Sequence, residues 1–258
     1  LVGSEMCIRD RFHRLLRDRR PPRPRHIEKV RIMQKNRPGN GSVHNGSPGD
    51  NSGGRMKIYY FPIAPNPTRV MVYLREKNIA LHEVLVDLRK GEQLSPEHLA
   101  RNPAGALPVL ELDSGEYITE SLPIMEYLEE LHPDPVMIGR DALDRLRTRA
   151  LERQVETGIL NPLARFVHAS NSPLGLTPKP EVAATEWERV EKALGRLEQR
   201  IGEGPFVAGT TPTIADCSLF AALQFGEAFG AQIPEVHSNI HRWYAMFRER
   251  PSTRPEQY

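Results

Sequence analysis

The sequence predicts two units in series, an α/β unit of order β-α-β-α-β-β-α followed by an all-α unit. Three observations predict this. From Met56 to His132, short apolar runs alternate with amphipathic helical stretches. Two strand-like runs around Asp113-Ser114-Gly115 read as a hairpin and are followed at once by a helix. From Asp141 onward the apolar residues recur at helical spacing throughout. The expected boundaries are 56–132 for the α/β unit, 133–140 for a linker and 141–258 for the helices.

Each element has a local reason. Lys57-Ile58-Tyr59-Tyr60-Phe61 is a short strand that Pro62 ends. Asn66 reads as an N-cap with Pro67 at the first helical position, opening a helix from Thr68 to about Lys77 with Val70 and Leu74 inward. Asn78 can end that helix. Leu81 to Val86 is a second strand, parallel to the first through the helical crossover. Ser95 caps a short helix with Pro96 at its first position. Val109, Leu110 and Leu112 form a third strand, and Tyr117-Ile118-Thr119 a fourth. Ser121 then reads as the cap of a helix over Leu122–Leu131, with Pro123 in its first turn. This order is that of the thioredoxin fold.

His132-Pro133-Asp134-Pro135 opens the linker. Asp141 to about Ala169 carries Leu143, Leu146, Ala150 and Leu151 at helical spacing, with a kink expected at Asn161-Pro162. Pro180 to Ile201 places Trp187, Val190, Leu194, Leu197 and Ile201 on one face. Thr213-x-x-Asp216 is a capping box that opens an apolar helix through Leu219, Phe220 and Leu223. Its meaning is structural, and Asp216 takes no catalytic role. Cys217 reads as a buried apolar thiol. His241 to Phe247 is an amphipathic last helix.

Composition narrows the classes. The chain has 258 residues, 39% apolar, with two cysteines, Cys7 and Cys217, which give no disulfide framework and suit a reducing compartment such as the cytoplasm. No apolar run is long enough to cross a membrane. Residues 1–55 hold thirteen Lys and Arg against five Asp and Glu, or +8, which leaves 22 against 28, or −6, for the rest. Pro-Arg and Gly-Ser-Asn runs in that head cannot build a core, so disorder is expected there. The opening Leu1-Val2-Gly3-Ser4-Glu5-Met6-Cys7-Ile8-Arg9-Asp10 resembles translated sequencing-adapter sequence. The head is therefore expected to be an artefact, with Met56 the natural start. Nucleic-acid binding has no support beyond that head, and no histidine or cysteine spacing suggests a metal.

Two features point to chemistry. Pro108 stands at the mouth of a strand, where a cis bond can leave the Leu107 backbone free to bond a ligand strand. Glu120-Ser121 lies at a helix N-terminus, which presents orphan N–H groups and a hydroxyl to an anion, or else is a plain cap. Asn102-Pro103-Ala104-Gly105-Ala106-Leu107-Pro108-Val109-Leu110, followed by Glu120-Ser121, resembles the glutathione-site signature of the glutathione transferase family. The likeness runs from about Met56 to about Ser252.

That resemblance implies a thioredoxin-like domain that binds glutathione as co-substrate, joined to the family's helical C-terminal domain. It places the cysteinyl backbone on Leu107 beside Pro108, the γ-glutamyl carboxylate on Ser121, the γ-glutamyl amine near Glu120 and the glycyl end near Gln93. Gly105 stands where some relatives have a histidine, leaving Lys90 or Arg89 as a substitute. Many bacterial relatives have Ser or Cys where this chain has Ala64, which can neither donate a hydrogen bond nor attack. Pro65-Asn66 is similar to the Thr-Pro-Asn motif of nu-class bacterial transferases, so Asn66 is the candidate for thiolate contact. Tyr59, Tyr60 and Thr68 are the runners-up. Lowering a thiol pKa from about 8.5 by ~2 units needs about 2.7 kcal/mol, and a hydrogen bond to a charged group supplies roughly 1.5–3 kcal/mol. The second substrate, an electrophile or a disulfide, is expected near Asn161, Arg165, Phe166 and His168. A homodimer is implied by family likeness. The alternative is a non-catalytic binding module on the same fold, which Ala64 fits.

Overall fold

The structure, a computed structural model, describes residues 56–254. The basic head, with its expected disorder and artefactual origin, lies outside the described residues. Strand β1 (Lys57–Tyr60) leads through the loop 61–64 into helix α1 (Pro65–Glu76) and back to β2 (His82–Leu85), which pairs with β1 in parallel. Two 3-10 turns and the short helix α2 (Pro96–Arg101) follow. The antiparallel hairpin β3 (Val109–Glu111) and β4 (Tyr117–Thr119) completes a four-stranded sheet of order β2-β1-β3-β4, and helix α3 (Ser121–Leu131) packs back against α1. Gly115 takes the hairpin turn at φ 85, a conformation that a Cβ disfavours.

The remainder is helical, as the spacing predicts: α4 (Ala142–Val155), α5 (Asn161–Ser170), α6 (Pro180–Ile201), α7 (Ile214–Ala228) and α8 (Ser238–Arg248). α7 is the axle of the molecule. It is buried over most of its length and packs against both α1 and α4, which fuses the two halves around one core. Alternation along β1 directs Ile58 and Tyr60 into that core and Tyr59 to the opposite face, where it meets Val86, Leu107 and Val109.

Four local expectations are corrected. α1 begins at Pro65 with Ala64 as its cap, so Asn66 is a second-position residue and not the cap. Pro65 and Pro67 both fit within the first turn because N–H groups there have no intrahelical partner to lose. α3 begins at Ser121 itself, and its cap is Glu120 at φ 69. The bend before Pro162 is a π-type segment, Glu156–Leu160, which accommodates the proline N-terminal to its ring. Finally, Leu143 and Leu146 are 52% and 62% exposed, because α4 instead turns Thr148, Leu151, Glu152 and Val155 inward. Asn78 does end the first helix region, at φ 53, with its N–H bonded to the Arg75 carbonyl and the next N–H to Leu74.

Candidate functional site

A cavity of about 600 Å³ opens between the loop after β1, the segment before β3, the start of α3 and the helical half. Its walls include Ala64, Asn66, Gln93, Leu107, Pro108, Glu120 and Ser121 on one side. The other side is apolar, formed by Leu160, Ala164, Leu174, Phe225 and Phe229, with His168 among them. This size suits a small-molecule site. A larger cavity, about 920 Å³, lies between the linker and the start of α7 and holds none of the predicted binding residues.

The polar wall is assembled from four separated segments. The early start of α1 leaves the Asn66 side chain out of the cap, where it forms no cap hydrogen bond. Two of the first three residues of α1 are prolines, so this terminus has few N–H groups to offer. The Asn66 amide is its main polar group. The Leu107–Pro108 bond is cis. Among the described residues, no hydrogen bond uses the Leu107 N–H or carbonyl. An extended peptide lying alongside satisfies both. Gln93 is 7% exposed, and its amide oxygen has no partner among the described residues. A ligand N–H reaching into the cavity supplies what that buried oxygen lacks.

At α3 no side chain caps the helix. The N–H groups of Ser121 and Leu122 precede the first intrahelical bond and face a terminus of positive polarity, a ready site for a carboxylate. Ser121 is 2% exposed. Its hydroxyl accepts a hydrogen bond from Arg69 Nε at 2.7 Å and donates to Asn66 Oδ1 at 3.5 Å.

The remaining candidates fall elsewhere. Tyr59 gives its hydroxyl to Glu111 and carries Arg101 over its ring, and burial with that bond pushes its pKa up to about 12. Tyr60 is 5% exposed within the core, and neither it nor Thr68 lines the cavity. Of the four residues expected at the second-substrate site, His168 alone reaches the cavity. Arg165 pairs with Glu186 at 2.9 Å, and Phe166 packs on Trp187 with ring centroids 4.9 Å apart, so both face α6. Asn161 is likewise absent from the lining. The face turned to the cleft is Leu160, Ala164 and His168, one α-helical turn apart each time. Burial holds the His168 imidazole below its ordinary pKa, and its Nδ1 lies 3.1 Å from Ser172 Oγ.

Sequence reasoning missed Arg69, Glu152, Glu156 and Ser218, which meet behind Ser121. The available signal was an arginine on the apolar face of α1, one turn before Tyr73, because a charge there requires buried partners. Phe225 and Phe229 were also missed. Among the described residues no cluster of acids, histidines or cysteines is arranged to hold a metal, and no helix is long and apolar enough to cross a membrane.

A four-stranded α/β layer joined to a helical half, with a cleft between them that has one polar and one apolar wall, is the architecture these residues build. The sequence matches the family described as the N-terminal domain of glutathione S-transferase over residues 58–136, and the C-terminal domain of the same family over 180–245. Glutathione S-transferase 2 of Saccharomyces cerevisiae is 33% identical over 220 residues, covering 82% of this chain and 93% of that one. Maleylacetoacetate isomerase of Pseudomonas aeruginosa is 30% identical over 219 residues, covering 78% and 98%. The crystal structure of Gtt2 from Saccharomyces cerevisiae superposes with a TM-score of 0.71 at 32% identity, covering 76% of this chain and 98% of that one. The chain belongs to the glutathione S-transferase family.

Proposed function

We propose that this glutathione transferase binds glutathione along Leu107, with the γ-glutamyl carboxylate at the start of α3, and directs its thiolate at an electrophile or a disulfide. The single observation that carries this reading is the gathering of Asn66, Gln93, Leu107, Pro108, Glu120 and Ser121 around one cavity of about 600 Å³. Residues 56–132 form the glutathione-binding unit and 141–258 the unit that receives the second substrate.

The carboxylate accepts from the Ser121 and Leu122 N–H groups and from the Ser121 hydroxyl. The cysteinyl backbone pairs with Leu107 like an added strand. Gln93 meets the glycyl end, and Glu120 takes the ammonium. This leaves the sulfur near Asn66, whose amide N–H stabilises the thiolate. Ala64 cannot contribute a hydroxyl, so Asn66 carries that contact. One charge-assisted hydrogen bond, roughly 1.5–3 kcal/mol, covers the energy of lowering the thiol pKa by ~2 units.

The thiolate then has two uses. With a carbon electrophile the S–C bond forms while the leaving group, or the electron pair of an activated double bond, departs. With a disulfide the new S–S bond forms as the old one breaks and one sulfur leaves as thiolate. The second substrate is apolar, since Leu160, Ala164, Leu174, Phe225 and Phe229 surround its position. Detoxification by conjugation is the broader role, in the cytoplasm. Self-association into a homodimer gives the exposed Leu143 and Leu146 a partner.

The test is to titrate bound glutathione while following thiolate absorbance. A bound pKa well below that of free glutathione is expected. A value equal to the free one removes the mechanism and leaves a binding module. Conjugation and disulfide-reduction assays then separate the two chemistries.

A further inference from the structure

A heavily partnered buried group lies not in the cavity but behind it. Arg69 is 3% exposed, on the inner face of α1. Its Nε donates to Ser121 Oγ at 2.7 Å. Its Nη1 donates to Glu152 Oε1 at 2.8 Å, to Glu156 Oε2 at 3.2 Å and to Ser218 Oγ at 3.4 Å. Ser218 in turn donates to Glu152 Oε1 at 3.0 Å. One guanidinium thus touches the first residue of α3, the end of α4, the π-type segment and α7.

We infer that Arg69 is a positioning residue for the glutathione site, fixing the Ser121 hydroxyl as a donor toward the cavity while the glutamates of the helical half hold the guanidinium still. The inference rests on the glutathione reading above. Its logic is the direction of hydrogen bonds. A guanidinium has only donors. Once Nε–H fills a lone pair of Ser121 Oγ, the single hydroxyl hydrogen has to turn away from Arg69. The acceptor it meets is Asn66 Oδ1, at 3.5 Å. Accepting there holds the oxygen end of the Asn66 amide toward Ser121, which leaves its NH2 end for a sulfur. When glutathione arrives, its carboxylate competes for the same hydroxyl hydrogen. Both polar site residues therefore receive their donor sense from a residue that never touches the ligand.

The two acids explain why an arginine serves here and a lysine does not. Glu152 and Ser218 are fully buried, and Glu156 is braced further by Arg153 at 2.8 Å. They occupy one arm of a planar fork and leave Nε aimed at Ser121. An ammonium is a single rotatable point and cannot answer both partners at fixed geometry.

The test is a double-mutant cycle on the whole chain with Arg69→Lys and Ser121→Ala, reading the dissociation constants of glutathione and of S-methylglutathione, which lacks the thiol. Arg69→Lys keeps a cation beside Glu152, so the fold is retained, as circular dichroism checks. Each single change weakens both ligands about tenfold. Adding Ser121→Ala to Arg69→Lys costs less than twofold more, because the hydroxyl is already undirected. Additive losses, or native affinity in Arg69→Lys, overturn the inference. Should Arg69→Lys not fold, Arg69→Gln in a Glu152→Gln background removes the buried cation together with its partner charge and is read by the same two dissociation constants. A loss of about tenfold is expected, and native affinity overturns the inference. A native protein that binds neither ligand sinks the glutathione reading and this inference together. Binding with an additive cycle sinks this inference alone.

Discussion

Two helices of this molecule begin with a small hydroxyl residue near a carboxylate, and they begin in opposite ways. At α7 the Asp216 carboxylate is fully buried and accepts from the Val207 and Thr213 N–H groups at 2.9 Å and from the Thr213 hydroxyl and Trp243 Nε1 at 3.0 Å. The Ile214 N–H meets the Met137 carbonyl of the linker at 3.1 Å. That terminus is sealed from within. At α3 the residue three places past the cap is Pro123, which cannot fold back as Asp216 does, and no side chain caps the helix. The acid there is the cap itself, Glu120, turned toward the cavity wall at φ 69. That terminus has no side-chain cap and borders the cavity. The position of the acid relative to the first turn decides whether a helix start is a seal or a socket.

The contrast can be broken at its sealed end first. Asp216→Ala leaves several buried donors without an acceptor, and a loss of about 3–5 kcal/mol in unfolding free energy is expected by urea denaturation. The folded fraction should still bind glutathione with native affinity. A comparable loss of affinity would mean that the two termini are not separate in role.

Titration comes next. Burial pushes Asp216 up to about 6 and Glu152 up to about 7, the latter against the lowering effect of Arg69. Glu152 is faced by Arg69, Glu156, Arg153 and Ser218. Both folded values exceed the unfolded ones near 4, so the stabilisation is complete below about pH 4 and is lost as pH rises through the folded values. Unfolding free energy should fall by roughly 2–3 kcal/mol per group between about pH 4 and pH 7. Glu152→Gln should remove the upper part of that decline, near pH 7, and leave the part due to Asp216.

Smaller effects sharpen the open end. Asn66→Ala should raise the pKa of bound glutathione by ~2 units, the equivalent of about 2.7 kcal/mol, with stability nearly unchanged. Glu120→Gly should stabilise the fold by about 1 kcal/mol, because only glycine tolerates that backbone without strain, while weakening glutathione. Stability lost rather than gained would show that Glu120 holds the fold and not the ligand.

The sequence made the order of elements legible because each is fixed by neighbours within a few residues. Ser95 accepts the His98 N–H, Gly115 takes the left-handed turn, and Thr213 and Asp216 close their own helix, all through contacts three residues apart or fewer. The residues of the proposed glutathione site stand out locally for a similar reason, since Leu107-Pro108 and Glu120-Ser121 carry distinctive backbone features. Helix phase was less legible. Leu143 and Leu146 share the spacing of a buried stripe with Leu151, but packing on α7 buried Leu151 together with Val155 and left the two earlier leucines exposed. The same choice turned Arg165 and Phe166 toward α6 and left Leu160, Ala164 and His168 to line the cleft.

By itself, then, the sequence determined the order of strands and helices, the proline at the mouth of β3 and the sealed start of α7, while it placed the cap of α3 one residue late. Tertiary structure alone decided which face of α5 lines the cavity and that Arg69 reaches Ser121, Glu152 and Glu156 at once. The physical reason is distance along the chain. Arg69 is separated from Ser121 by 52 residues and from Glu152 by 83, and no local rule of spacing or capping joins groups that only the packing of α1 against α7 brings together.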